Sequence, residues 1–140
     1  MDQKVRHAIY DAVKKEPFAN AMKIKLVELK LGYSAVEMIY DPVKMNNIYD
    51  RAHGGALFAL IDEAFETAGQ TDGTIAVALN VNVTYVSSPE AGIKLRAEAR
   101  QNSRTKKTAS YDIKITDQNG NTIATCSALA YRTGKPIPFL

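Results

Sequence analysis

Residues 53–69, HGGALFALIDEAFETAG, decide how the rest of this chain folds. Leu57, Phe58, Leu60, Ile61, Ala64, Phe65 and Ala68 recur at the spacing of one helical face. Gly69 follows the last of them, where a helix end favours glycine. His53, Gly54 and Gly55 stand at the other end. A helix N-terminus points unpaired N–H groups outward, and glycine lets a ligand approach the backbone closely. This helix start is a candidate site for an oxyanion or a polarised carbonyl. At roughly 100° per residue, Asp62 lies about 115° from the centre of the apolar face. It is a shoulder residue, whereas Glu63 and Glu66 lie further round and are expected in solvent. A shoulder carboxylate suits a cleft or a subunit interface. An ordinary surface aspartate near a helix start gives the same pattern.

The flanking sequence supplies what this helix must pack against. Residues 4–15 place Val5, Ala8, Ile9, Ala12 and Val13 on one face of a short amphipathic helix that Glu16-Pro17 ends. His7 lies off that face and is expected in solvent. From Met22 the period changes to two, with a phase break at Leu26-Val27 that predicts a bulge. Gly32 turns the chain into a second strand over 33–40, and 43–52 is expected as a loop. Four strand patterns follow the helix, over about 75–86, 93–100, 109–116 and 122–132. Asp117 to Asn121 carry a hairpin turn signal. The alternation implies an antiparallel sheet with one covered face, and one helix apolar enough to cover it. The expected class is α+β, a six-stranded antiparallel curved sheet wrapped around one long central helix, with a short N-terminal helix. Ala76, Ala78, Val86, Ala124, Cys126, Ala128 and Ala130 are read as an apolar outer surface for a partner copy.

Composition narrows the function. With 46% hydrophobic and 24% charged residues, 140 residues suit one domain spanning 1–140. A net charge of +3 does not indicate nucleic acid and is compatible with an anionic small molecule. No run is long enough to cross a membrane and no signal-peptide pattern is present, so a cytoplasmic setting is expected. The lone Cys126 excludes an intrachain disulfide and a cysteine zinc cluster, and His7 and His53 lie in unrelated segments, so no metal site is expected. Arg100, Arg104, Lys106 and Lys107 gather at the turn over 101–107. They suit either a solvated hairpin end or a phosphate site at a cleft mouth.

Asn47, then His53-Gly54-Gly55, then Asp62, set inside this strand and helix order, resemble the hotdog-fold acyl-CoA thioesterases of the phenylacetate-degradation (PaaI-like) type. The likeness spans about residues 20–133, and includes the basic turn and the Tyr131-Arg132 end of the last strand. It departs at Asp50, where a glycine is common in relatives.

The resemblance implies hydrolysis of an acyl-CoA, aryl or medium-chain, to free acid and CoA. Gly54 would offer its N–H to the thioester carbonyl. Asp62 would come from the facing subunit as general base or nucleophile. Asn47 would orient water or hold the carbonyl. His53 would be mostly a helix-start residue bonding within its loop, grouped with Gly55 and Phe58 on the substrate-binding side. Arg104, Lys106 and Lys107 would meet the CoA phosphates, with Arg132 a weaker candidate. Thr71 and Thr74 stand near a position where some relatives use a hydroxyl. A homodimer or dimer of dimers is implied, with no cofactor beyond the CoA of the substrate. The alternative is a non-catalytic acyl-CoA binding or sensing domain on the same fold.

Overall fold

The computed structural model describes residues 1–140. Helix α1 (Gln3–Lys15) starts at the Asp2 carboxylate, which accepts the Val5 N–H at 3.0 Å. Its apolar stripe of Val5, Ile9 and Val13 is buried. Pro17 ends this helix but also starts another, α2 (Pro17–Met22). Proline suits a first helical position, where its missing N–H would be unpaired in any case. The expectation of a single N-terminal helix is extended to that degree.

Strands β1 (Lys25–Lys30) and β2 (Tyr33–Ile39) form a hairpin through Gly32, at φ +68°. Its register shifts between Leu26 and Glu28, where the phase break predicts a bulge. The segment expected as pure loop contains one helical turn, α3 (Pro42–Met45), capped by the Asp41 carboxylate. Then come α4 (Gly54–Gly69), β3 (Thr74–Tyr85), β4 (Lys94–Arg104), β5 (Thr108–Asp117) and β6 (Thr122–Pro136). β6 outruns its expected end at Arg132 because Pro136 still pairs with Thr74 of β3.

The six strands form one antiparallel sheet in the order β1-β2-β4-β5-β6-β3, and α4 lies against its covered face. Leu95, Ala97 and Ala99 of β4, and Tyr111, Ile113 and Ile115 of β5, are buried in one cluster with Leu60, Ile61, Ala64 and Phe65 of α4. The Phe65 ring meets Tyr111 edge-on, with centroids 5.3 Å apart. Each fully buried Leu or Ile contributes roughly 1.5–3 kcal/mol, against about 0–1 for an exposed ion pair. This packing, rather than the surface charges, holds the sheet on the helix.

Two expectations about faces are corrected. Ala124, Cys126, Ala128 and Ala130 are core residues, 0–6% exposed, and the outer face of β6 carries Thr125, Ser127, Leu129 and Tyr131. The alternation was real, but alanine against serine and threonine differs too little in hydrophobicity to set its phase. Ala78 and Val86 are exposed as expected, and with Val77, Leu79 and Tyr85 they set the exposed apolar surplus on and just past the edge strand β3. Glu63 is also misplaced by the helical wheel. It is 3% exposed, because the α1–α2 junction brings the Glu16 carboxylate over that side of α4.

Candidate active site

The helix start is organised by its own loop. His53 N–H donates to the Met45 carbonyl at 2.7 Å, and His53 Nδ1 accepts the Gly55 N–H at 2.8 Å. The Gly55 N–H is thereby occupied, and a Cβ at Gly55 would stand 3.0 Å from that nitrogen. Ala56 and Leu57 donate to the His53 carbonyl. Gly54 is different: its N–H finds no acceptor in the chain. The Tyr85 hydroxyl donates to the Gly54 carbonyl at 3.0 Å, and a Cβ at Gly54 would meet that ring at 3.1 Å. Glycine is needed here as much for the tyrosine as for any ligand.

Asn47 turns the preceding loop. Its Oδ1 accepts the N–H groups of Tyr49, at 2.9 Å, and Arg51, at 3.1 Å. With the oxygen spent on the backbone, only the Nδ2 donor remains for a ligand. Asp50 adopts φ +55°, the left-handed region where glycine is at ease and Asp is tolerated. The departure from the family's glycine therefore leaves this turn possible. Asn47, Arg51, Gly54, Tyr85, Ser87 and Ser88 line an open cleft of about 530 Å3.

Asp62 opens elsewhere. It lines a second cleft of about 310 Å3 with Phe65, Gln70, Ile75, Val77 and Ala130, along β3. Burial pushes its carboxyl above the ordinary aspartate value. Burial likewise raises Glu66, helped by Glu16 and Asp62, and raises Glu63 to about 8 with Glu16 and Glu66 beside it. Gly54 and Asp62 are eight residues apart on α4. That is about 12 Å along the axis at 1.5 Å per residue. One chain does not bring the two groups onto a single carbonyl.

The basic turn lies at the Asp62 end of β3, since Arg132 pairs with Ala76 and Thr108 with Tyr131. Asp72, which the sequence reading missed, accepts from Arg104 at 2.7 Å and from Arg132 at 2.6 Å. Burial alone would raise the Asp72 carboxyl. The Thr74 hydroxyl and amide, then the arginines, outweigh it and hold the carboxyl below its ordinary value. Lys107 Nζ stands 5.7 Å over the Tyr131 ring, and the Lys106 side chain is exposed without an ion pair. Thr71 is buried, accepting the Gly32 N–H at 2.8 Å, and Thr74 donates to Asp72. Neither borders a cleft, and half-buried Phe58 lines neither of the two. Arg51 and the serines at 87 and 88 were not anticipated, since nothing in their local pattern links them to the helix start.

A sheet wrapped on one long helix, with an open N–H at the helix start and a carboxylate eight residues on, defines a hotdog-fold protein of the thioesterase type. The chain belongs to the Thioesterase superfamily, a family of thioester hydrolases whose family model matches residues 49–124. Within it the chain is PaaI-like. It is 32% identical over 131 residues to the acyl-coenzyme A thioesterase PaaI of Escherichia coli, covering 94% of this chain and 91% of that protein. The structure of the E. coli PaaI protein superposes with a TM-score of 0.91 at 30% identity, over 96% of this chain and 97% of that one. The smu.793 structure of Streptococcus mutans, bound to acetyl CoA, matches with a TM-score of 0.77 at 26% identity, covering 81% and 91%. No helix is long and apolar enough to cross a membrane.

Proposed function

We propose that the chain hydrolyses acyl-CoA thioesters at sites shared between two copies. The observation that carries this is the separation of an open Gly54 N–H from a half-buried Asp62 by about 12 Å of helix. β3 supplies the means of joining them. It is an edge strand of 12 residues with Val77, Leu79 and Tyr85 exposed. An unpaired apolar edge of that length favours strand addition. Antiparallel pairing of β3 with its copy lays the Tyr85 end, beside Gly54, against the start of the other strand, beside Asp62 and the basic turn. Two equivalent sites follow from the two-fold.

The chemistry then needs few parts. The Gly54 N–H and the Asn47 Nδ2 donate to the thioester oxygen as it gains charge. The Asp62 carboxylate takes the proton from an attacking water, or itself attacks to form an anhydride that water opens. Its raised affinity for a proton makes it a stronger base than an exposed aspartate. The C–S bond breaks and CoA leaves as the thiolate. Lys106, and Lys107 by leaving its weak contact with Tyr131, can meet the CoA phosphates, whereas Arg104 and Arg132 do so only by sharing or leaving the Asp72 ion pairs. The PaaI relative is named an acyl-coenzyme A thioesterase and the smu.793 relative holds acetyl CoA, which supports acyl-CoA as the substrate class.

Thiol release from short, medium, long and aryl acyl-CoAs, with Asp62→Ala alongside, tests the proposal. Turnover on part of the panel that vanishes in the variant is the expected result. Tight binding of acyl-CoA by calorimetry with no thiol release from any member would replace hydrolysis by binding.

A further inference from the structure

Beside the Asp62 cleft, which Glu66 also lines, three carboxylates converge where α1 meets α2 and both meet α4. Glu16 stands at the junction of the two N-terminal helices, and its side chain makes no capping bond. Glu63 and Glu66 are one turn apart on α4 and share a side of it. One carboxylate oxygen from each lies within 4.8 Å of the others. None of the three enters a salt bridge. Glu63 is 97% buried by its 3% exposure, and its Oε1 has no hydrogen-bond partner. A buried unpaired carboxylate oxygen costs several kcal/mol when nothing answers it, so such groups are protonated, paired or metal-bound. The charges nearby do not answer it. Lys15 borders a small cleft with Glu16 and Glu66 but is exposed, and Asp62 adds a further negative group.

We propose that Glu16, Glu63 and Glu66 bind one divalent cation of the oxygen-preferring class, Ca2+, Mn2+ or Mg2+. Carboxylate oxygens around such an ion stand about 2.0–2.6 Å from it, and hence up to roughly 5 Å from one another. The observed spread fits inside that limit. Water completes the shell from the adjoining cleft of about 210 Å3, which Glu16, Glu66, Thr67 and Gln70 border. The set contains no histidine or cysteine, so it does not suit zinc or copper. The ion pins the α1–α2 junction to the central helix where the three carboxylates otherwise repel one another.

The test uses full-length protein stripped with chelator and then titrated with CaCl2, MnCl2 or MgCl2 at constant ionic strength. Calorimetry gives stoichiometry, and thermal unfolding gives stabilisation. The expected result is one cation per chain for at least one metal, with a rise in Tm of several degrees at saturation. Glu66→Gln and Glu16→Gln change partly or fully exposed side chains and should fold. Each should weaken binding at least tenfold and lose most of the Tm rise. No binding of any metal at about 10 mM, roughly tenfold above the weakest dissociation constants of extracellular calcium modules, overturns the proposal. So does a metal response in both variants equal to that of the wild type, which places the ion elsewhere. A Glu63→Gln protein that is stabilised, while wild type ignores all three metals, assigns the orphan oxygen to a proton and also overturns it.

Discussion

Gly54→Pro, set against Gly54→Ala, isolates the loss of one hydrogen-bond donor. Gly54 is the first residue of α4, a position proline tolerates. His53 before it sits at φ −64°, ψ 133°, the extended conformation a residue preceding proline prefers. The N–H that proline lacks has no partner in the chain, so folding loses no bond with it. Any side chain here presses on Tyr85, whose ring is 3.1 Å from a Cβ. Gly54→Ala exerts the same pressure and keeps the N–H, so it is the reference. Loss of one oxyanion donor costs about 2.7–4 kcal/mol in the transition state, or about 10²–10³ in kcat. Thiol release at saturating acyl-CoA should show that gap between the Pro and Ala proteins, with KM changed little. Circular dichroism and Tm should be alike in the two. Folded proteins whose kcat values agree within about threefold, less than 1 kcal/mol, would refute the assignment of the Gly54 N–H.

The proposed reaction needs Asp62 ionised, and burial raises its proton affinity. The kcat/KM profile should therefore fall on the acid side with an apparent pKa above the ordinary aspartate value of about 3.9, and a profile flat to that pH would remove Asp62 from the rate equation. Asp72 has the opposite sign: its folded value is depressed. The stability it contributes is complete above the unfolded aspartate value of about 3.9 and is lost as pH falls through the lower folded value. Asp72→Asn should cost about 1–3 kcal/mol near neutral pH in urea unfolding, with the deficit shrinking in acid. Burial holds the Cys126 thiol up at about 11. Native protein at pH 8 should resist a thiol reagent until denaturant is added, and rapid labelling would place Cys126 at the surface.

The helix and the order of strands were legible because their periods differ and because Leu60 and Ile61 contrast sharply with their charged neighbours. Strands β4 and β5 were legible for the same reason, with lysine, arginine and aspartate opposite the buried set. β6 was legible as a strand but not in its phase, since its two faces are alanine against serine and threonine. Pro17 was read as a stop, though the same residue is a good start. Glu63 looks solvated from α4 alone, and only the arrival of Glu16 from the N-terminal helices buries it. Asp72 and Arg132 meet across 60 residues, a distance no local pattern spans. The spacing from Gly54 to Asp62 was visible throughout, and helical rise sets the two about 12 Å apart along α4.

Mixing Gly54→Pro with Asp62→Ala tests that shared site most directly. Each protein alone should be nearly inactive. After co-refolding at equal amounts, half the dimers carry one of each chain. One of the two sites in such a dimer then has both an intact Gly54 and an intact Asp62, so activity should recover to about a quarter of wild type. Recovery near that level is the result the shared site predicts. No recovery from a mixture shown to contain heterodimers would mean that Gly54 and Asp62 do not act across the interface, and would contradict it.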